Sequence, residues 1–121
     1  MKLKSAKSLS LRPRFRVMRG KEIAFGPGQG GIAALVNETG SIGEAAKRMD
    51  MSYMRAWSLI QTMNACFKEP LIAAVRGGHK RGGAELTESG HAVLKLYQQM
   101  EKAGLRASAS SWKRLQKLLR D

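Results

Sequence analysis

A mainly α-helical domain with small β-hairpins is the fold class this sequence predicts, and three observations predict it. Residues 41–67 have the grammar of two amphipathic helices joined by a three-residue turn. A strand, a basic glycine-rich loop and a second strand come directly after, over residues 71–86. Finally, 121 residues with 43% hydrophobic content suit one domain with a single modest core. Together they describe a winged helix-turn-helix: a three-helix core, a short N-terminal β-ribbon, a β wing and a C-terminal helix available for dimerisation. The expected organisation is a basic arm over 1–13, the winged domain over 14–103 and a helical extension over 104–121.

Residues 1–21 hold eight basic residues and no acid. That composition resembles an organellar transit peptide, but the segment runs into Arg14-Phe-Arg-Val-Met-Arg19, an alternation that belongs to a strand. With Glu22-Ile-Ala-Phe25 beyond Gly20-Lys21, it predicts a two-stranded ribbon, which persists only if its apolar face packs on something larger.

Gly28-x-Gly30 is a partial match to a dinucleotide-binding loop. Position 33 is alanine, no parallel strand comes after it, and no Walker lysine closes a P-loop, so the glycines are better read as a connection into a helix. That helix, about 29–38, places Ile32, Leu35 and Val36 on one stripe and ends at Gly40, a residue suited to a left-handed cap.

Ser41 and Glu44 stand three apart, the spacing of a capping box, and Ile42, Ala45, Ala46 and Met49 share one face of the helix they open. Asp50-Met51-Ser52 makes the turn, and Ser52 caps the next helix. Along it Tyr53, Trp57, Ile60, Met63 and Phe67 recur at steps of three or four and are expected to face the core. Ser52, Met54, Arg55, Ser58 and Thr62 are then left looking outward. In this motif the N-terminal end of the second helix reads base edges.

Pro70 ends the helix, and Leu71–Val75 and Ala84–Leu86 read as strands around Arg76-Gly-Gly-His-Lys-Arg-Gly-Gly83. Glycines let the backbone lie close to a sugar-phosphate chain, while Arg76, Lys80 and Arg81 supply counter-charge. His79 has no neighbours that would make it a metal ligand. Thr87 caps a helix carrying Val93, Leu94, Leu96, Tyr97 and Met100. Either that helix continues through Gly104, or Ser110 or Ser111 caps a new one. The apolar stripe Leu105, Trp112, Leu115 and Leu119 lies among basic residues and is expected to pair with its own copy.

Charge narrows the function. Lysines and arginines number 22 against 9 acids, a net +13 with a pI near 10.6, the range of nucleic-acid-binding domains. Cys66, the single cysteine, suits a small buried thiol and a reducing, cytoplasmic compartment. No apolar run reaches the roughly 18 residues of a membrane span. Paired carboxylates, a nucleophile beside a base and a metal cluster are all missing from the sequence pattern, so no enzyme and no cofactor are expected.

Glu38-Thr-Gly-Ser-Ile42, Ala45-Ala-Lys47, Met51-Ser-Tyr53, Ala56-Trp57, Met63-Asn64, the double glycines at 77–78 and 82–83, and Leu86-Thr87-x-x-Gly90 carry a resemblance. Over about residues 14–103 the chain resembles the N-terminal winged helix-turn-helix domain of the molybdate-responsive ModE transcription regulators. The resemblance implies a bacterial dimeric DNA-binding protein that grips a palindromic operator and typically represses molybdate-uptake genes. By position, Ser52 to Arg55 begin the reading helix and Arg76 to Gly83 form the wing. Met54 departs from a position that is often basic in the family. The oxyanion-binding domains of full-length members have no counterpart in these residues, so molybdate is not expected to bind this chain directly. The expected partners are therefore double-stranded DNA and a second copy, with no membrane. Candidate DNA-binding residues are Ser41, Ser52, Tyr53, Met54, Arg55, Ser58, Thr62, Arg76, Lys80 and Arg81. The alternative is a winged-helix module that serves a protein partner.

Overall fold

Hydroxyl side chains cap the start of three of the four helices among the described residues. The computed structural model describes residues 8–75 and 83–120. Ser41 Oγ accepts from the Glu44 amide at 3.1 Å, Ser52 Oγ from the Arg55 amide at 3.1 Å and Thr87 Oγ1 from the Gly90 amide at 3.0 Å. Each satisfies one amide that the first helical turn would otherwise leave unpaired. The capping box at Ser41 is only half formed. The Ser41 amide donates to Thr39 Oγ1 at 3.2 Å, and the Glu44 carboxylate turns instead toward Arg48, 3.6 Å away.

The element order is β1 (Val17–Arg19), β2 (Glu22–Phe25), α1 (Pro27–Thr39), α2 (Ile42–Arg48), α3 (Tyr53–Cys66), β3 (Ile72–Val75), β4 (Gly83–Leu86) and α4 (Glu88–Gln116). Strands β1 and β2 form one antiparallel pair and β3 and β4 another, so the described residues make a mostly helical fold of four helices and two small sheets. This arrangement fits a small winged-helix-like domain. The first pairing begins at Val17 rather than Arg14, with a register shift between Val17 and Met18.

Helix α1 begins at Pro27, where a missing amide costs nothing. Buried Gln29 turns its Oε1 back to accept the Gly26 amide at 3.0 Å. Gly28 and Gly30 are thus helical, with the Gly30 backbone packed near the Phe25 and Tyr97 rings. At the other end Gly40 adopts φ 71 and donates to Val36 O at 2.8 Å, the left-handed cap expected of it.

Phe25, Ile32, Val36, Met63 and Leu71 are the largest fully buried side chains. Around them pack Ala45 and Ala46 of α2, Ala56 and Ile60 of α3, Ile72, Ala84 and Leu86 of the second hairpin, and Leu94 and Tyr97 of α4. The core is therefore wider than three helices. Phe25 meets Tyr97 edge-on at 5.0 Å and Phe67 at 6.4 Å, which ties the N-terminal ribbon into it.

Two of the five residues expected in the core from α3 are outside it. Tyr53 is 48% and Trp57 40% exposed, Phe67 is half-buried, and only Ile60 and Met63 are fully enclosed. The helix turns Ala56 inward instead, because the small faces of Ala45, Ala46 and Ala56 let α2 and α3 approach closely. Bulk at position 53 or 57 has no room in that contact.

Helix α4 runs unbroken through Gly104, which settles the alternative left open by the sequence. Only its first half reaches the core: Leu94 and Tyr97 are buried, Val93 is half-buried, and Leu96 and Met100 are exposed. Gly104 is the place where Phe15 crosses, since a Cβ there would meet the Phe15 ring at 2.8 Å. The Tyr97 hydroxyl donates to Phe15 O at 2.6 Å, and burial, followed by the nearby Glu101 carboxylate, raises its pKa.

Two close contacts seat the second hairpin. The Asn64 carboxamide accepts from the Leu71 and Ile72 amides at 2.8 and 3.2 Å and donates to Ile72 O at 3.0 Å. Gly90 lets α4 pass directly over the Leu71 carbonyl, where any Cβ would collide with backbone. Replacing Gly90 with alanine is therefore expected to cost about 1–3 kcal/mol of overpacking, and Asn64 with alanine a similar amount for orphaned amides. Urea unfolding checks both; midpoints equal to that of the parent chain would contradict these contacts.

Candidate nucleic-acid interface

The exposed side of α3 follows from which side is buried. With Ala56, Ile60 and Met63 inward, helical spacing sends Met54, Ser58 and Gln61 to the middle of the outer face. Arg55 and Thr62 take one flank, and Tyr53 and Trp57 the other. Met54 is 69% exposed, and Arg55, Ser58 and Gln61 are also exposed. Thr62 is half-buried, so less of it faces outward than expected. Gln61 was not among the residues singled out from the sequence; it stands seven after Met54, the same spacing that aligned the inner stripe.

Ser52 is exposed but already engaged as the cap of α3, and half-buried Ser41 as the cap of α2. Both hydroxyls keep capacity for a second bond. The turn between the helices is made by Asp50 at φ 55, a left-handed conformation that aspartate tolerates better than most residues. It sets Ser52, and with it the N-terminus of α3, at the surface.

The hairpin β3–β4 pairs Ile72 with Leu86, Ala73 with Glu85, Ala74 with Ala84 and Val75 with Gly83. It is held from two sides, at its base by α3 and at the loop end of β4 by the connection between α1 and α2. Asn64 of α3 grips the start of β3, while the Ala84 amide donates to Gly40 O at 3.0 Å and Gly83 bridges to Ser41. Trp57 lies seven residues before Asn64, so it shares the side of α3 that faces this hairpin. The candidate residues Arg76, Lys80 and Arg81 lie in the connection between the two strands, outside the described residues.

Electrostatically the face is sparse. Helix α3 holds Arg55 and no acid, and the end of α2 adds exposed Lys47. Arg48 is engaged, 2.6 Å from Glu38. Cys66 is half-buried, with its Sγ 3.9 Å from Glu22, and is not part of the face.

Of the proposed pairing stripe, Leu105, Trp112 and Leu115 lie on the second half of α4, and Leu119 lies past its end at Gln116. Leu105, Leu115 and Leu119 are exposed and Trp112 half-buried. Its near end is already in use: Leu11, Pro13 and Phe15 border a cleft with Gly104, Leu105 and Ser108. The described residues contain no group of histidine, cysteine and carboxylate side chains arranged to hold a metal, and no helix long and apolar enough to cross a membrane.

No family model matches the chain, but individual proteins do. The chain is 41% identical over 66 residues to the molybdenum transport protein ModE of Azotobacter vinelandii, covering 54% of this chain and 24% of that protein. It is 36% identical over 83 residues to the molybdenum-pterin-binding protein MopB of Rhodobacter capsulatus, 69% of this chain and 30% of MopB. To the DNA-binding transcriptional dual regulator ModE of Escherichia coli K12 it is 39% identical over 59 residues, 49% of this chain and 22% of that regulator. The chain thus spans less than a third of the length of these relatives. Over half to two-thirds of its own length, these similarities support a relationship to the ModE and Mop molybdenum proteins.

Proposed function

We propose that this chain is a sequence-specific DNA-binding transcription regulator that occupies its operator as a homodimer and represses from it. In this reading α3 enters the major groove as the recognition helix and β3–β4 is the wing. The observation that carries it is the pairing of a capped, outward-facing helix with a hairpin tied to that same helix through Asn64. The net charge of +13 and the regulator names of the ModE relatives support it.

Arg55 sits in the first turn of α3, exposed, with the reach for a bidentate contact to guanine. Arg55→Ala is expected to cost about 1–3 kcal/mol on the preferred duplex and to relax base preference at one position. Equal weakening on all sequences would reassign Arg55 to a phosphate.

Lys80 and Arg81 are proposed as the wing's phosphate contacts. Changing both to alanine should lower affinity for preferred and random duplexes alike and reduce the salt slope by roughly 1 per lost contact. A slope that does not move means the loop does not touch DNA, and a flat slope in the parent chain favours a protein-binding module instead.

The dimer is proposed to form through Leu105, Trp112, Leu115 and Leu119. Charged substitutions at exposed Leu115 and Leu119 should weaken self-association in sedimentation while thermal unfolding of the monomer is unchanged. A variant that stays dimeric at low concentration moves the contact elsewhere on α4 or to the N-terminal ribbon.

The MopA and MopB names offer a second reading, a molybdenum-pterin ligand. The stripe over 104–121 presents apolar groups rather than a ring of donors, so molybdate is expected to leave DNA affinity nearly unchanged. A tenfold change, about 1.4 kcal/mol, would assign sensing to this chain.

A further inference from the structure

The outer face of α3 is unusual for a helix proposed to read DNA: it exposes large hydrophobic side chains, and the most exposed of these is a methionine. Met54 is 69% exposed, and Tyr53 and Trp57, 48% and 40% exposed, stand beside it within little more than one turn. Ser58 and Gln61 continue the same face with neutral groups, and Arg55 is the single charge on the helix. Packing does not account for this exposure, because the core takes Ala56, Ile60 and Met63 from the other side. Capping does not account for it either, since Ser52 alone closes the helix start.

We infer that this face reads thymine methyl groups, with Met54 as the specificity-determining contact and Trp57 flanking it. The inference rests on the proposed DNA-binding function. In the major groove each base edge offers hydrogen-bond donors and acceptors, and only thymine adds a carbon group, the C5 methyl. A thioether chain has no donor and only a feeble acceptor, so it discriminates among bases chiefly by covering that methyl. Its flexibility lets it settle over a methyl without a fixed rotamer.

Charge complementarity names the occupant. A protein partner for an apolar patch needs no cations around it, whereas Arg55 on the flank of this face, exposed Lys47 on the neighbouring α2 and the +13 of the whole chain suit a polyanion. Cations elsewhere on the chain position the duplex through its phosphates, while the neutral centre of α3 reads thymine beside the guanine contact proposed for Arg55. Trp57, on the hairpin side of the helix, limits water access to the contact from that direction.

The test uses the full chain and a duplex selected from a random pool, in which each thymine is replaced in turn by deoxyuridine. That change removes one methyl and leaves every hydrogen-bonding group in place. At one or two positions per half-site, affinity should fall about fourfold, the worth of one buried carbon group. Met54→Ala should bind the thymine and uracil duplexes alike at one of those positions, while Met54→Leu should keep the difference. Specific binding that is indifferent to uracil everywhere overturns the inference and leaves the DNA-binding reading intact. A uracil effect that survives Met54→Ala overturns the assignment to Met54. Failure to select any duplex removes both readings.

Discussion

One carboxamide fixes the geometry on which the proposed grip depends. Asn64, near the end of α3, spends both of its polar atoms on the first residues of β3. Without those bonds the Leu71 and Ile72 amides would be left without partners in a half-buried position, at a cost of about 1–3 kcal/mol. With them, the start of the hairpin is anchored to the helix. The opposite strand is held just as locally, by Ala84 and Gly83 on the connection between α1 and α2. Helix α3 and the described strands of the hairpin are therefore joined directly by hydrogen bonds, and such ties lower the ordering cost of a surface built from both.

The same region shows how close packing on one side creates the face on the other. Alanines at 45, 46 and 56 bring α2 and α3 together, and Gly90 brings α4 onto the backbone at Leu71. Bulk in the first turn of α3, on either side of Ala56, is turned outward. Tyr53, Met54 and Trp57 are exposed as a consequence of where the small residues sit, and a surface of that composition is what a partner meets first.

Much of this was legible in the chain. Three hydroxyl caps, the left-handed Gly40 and the paired strands around 76–82 follow from local rules with short range, and the structure places them at the expected residues. The core face of α3 was not, because two stripes offset by one residue share Ile60 and Met63, and periodicity alone favours the one with the larger side chains. Choosing Ala56 requires knowing that α2 comes close, which is a tertiary fact. Gly104 was ambiguous for a similar reason: it looks like a helix end, and only the passage of Phe15 explains it. Of the candidate contacts, Met54, Arg55 and Ser58 lie on one outward face, Ser41 and Ser52 serve first as caps, and Gln61 was missed because a neutral residue in mid-helix carries no signal of its own.

Whether helix and hairpin together select a base sequence is the question on which the proposed function turns. Selection of duplexes from a random pool by the full chain, followed by sequencing, measures that directly. A DNA-reading dimer should enrich a motif with two-fold symmetry whose half-sites lie about one helical turn, or a multiple of it, apart. A pool that emerges with no enriched motif, bound with an affinity indifferent to salt, would contradict it.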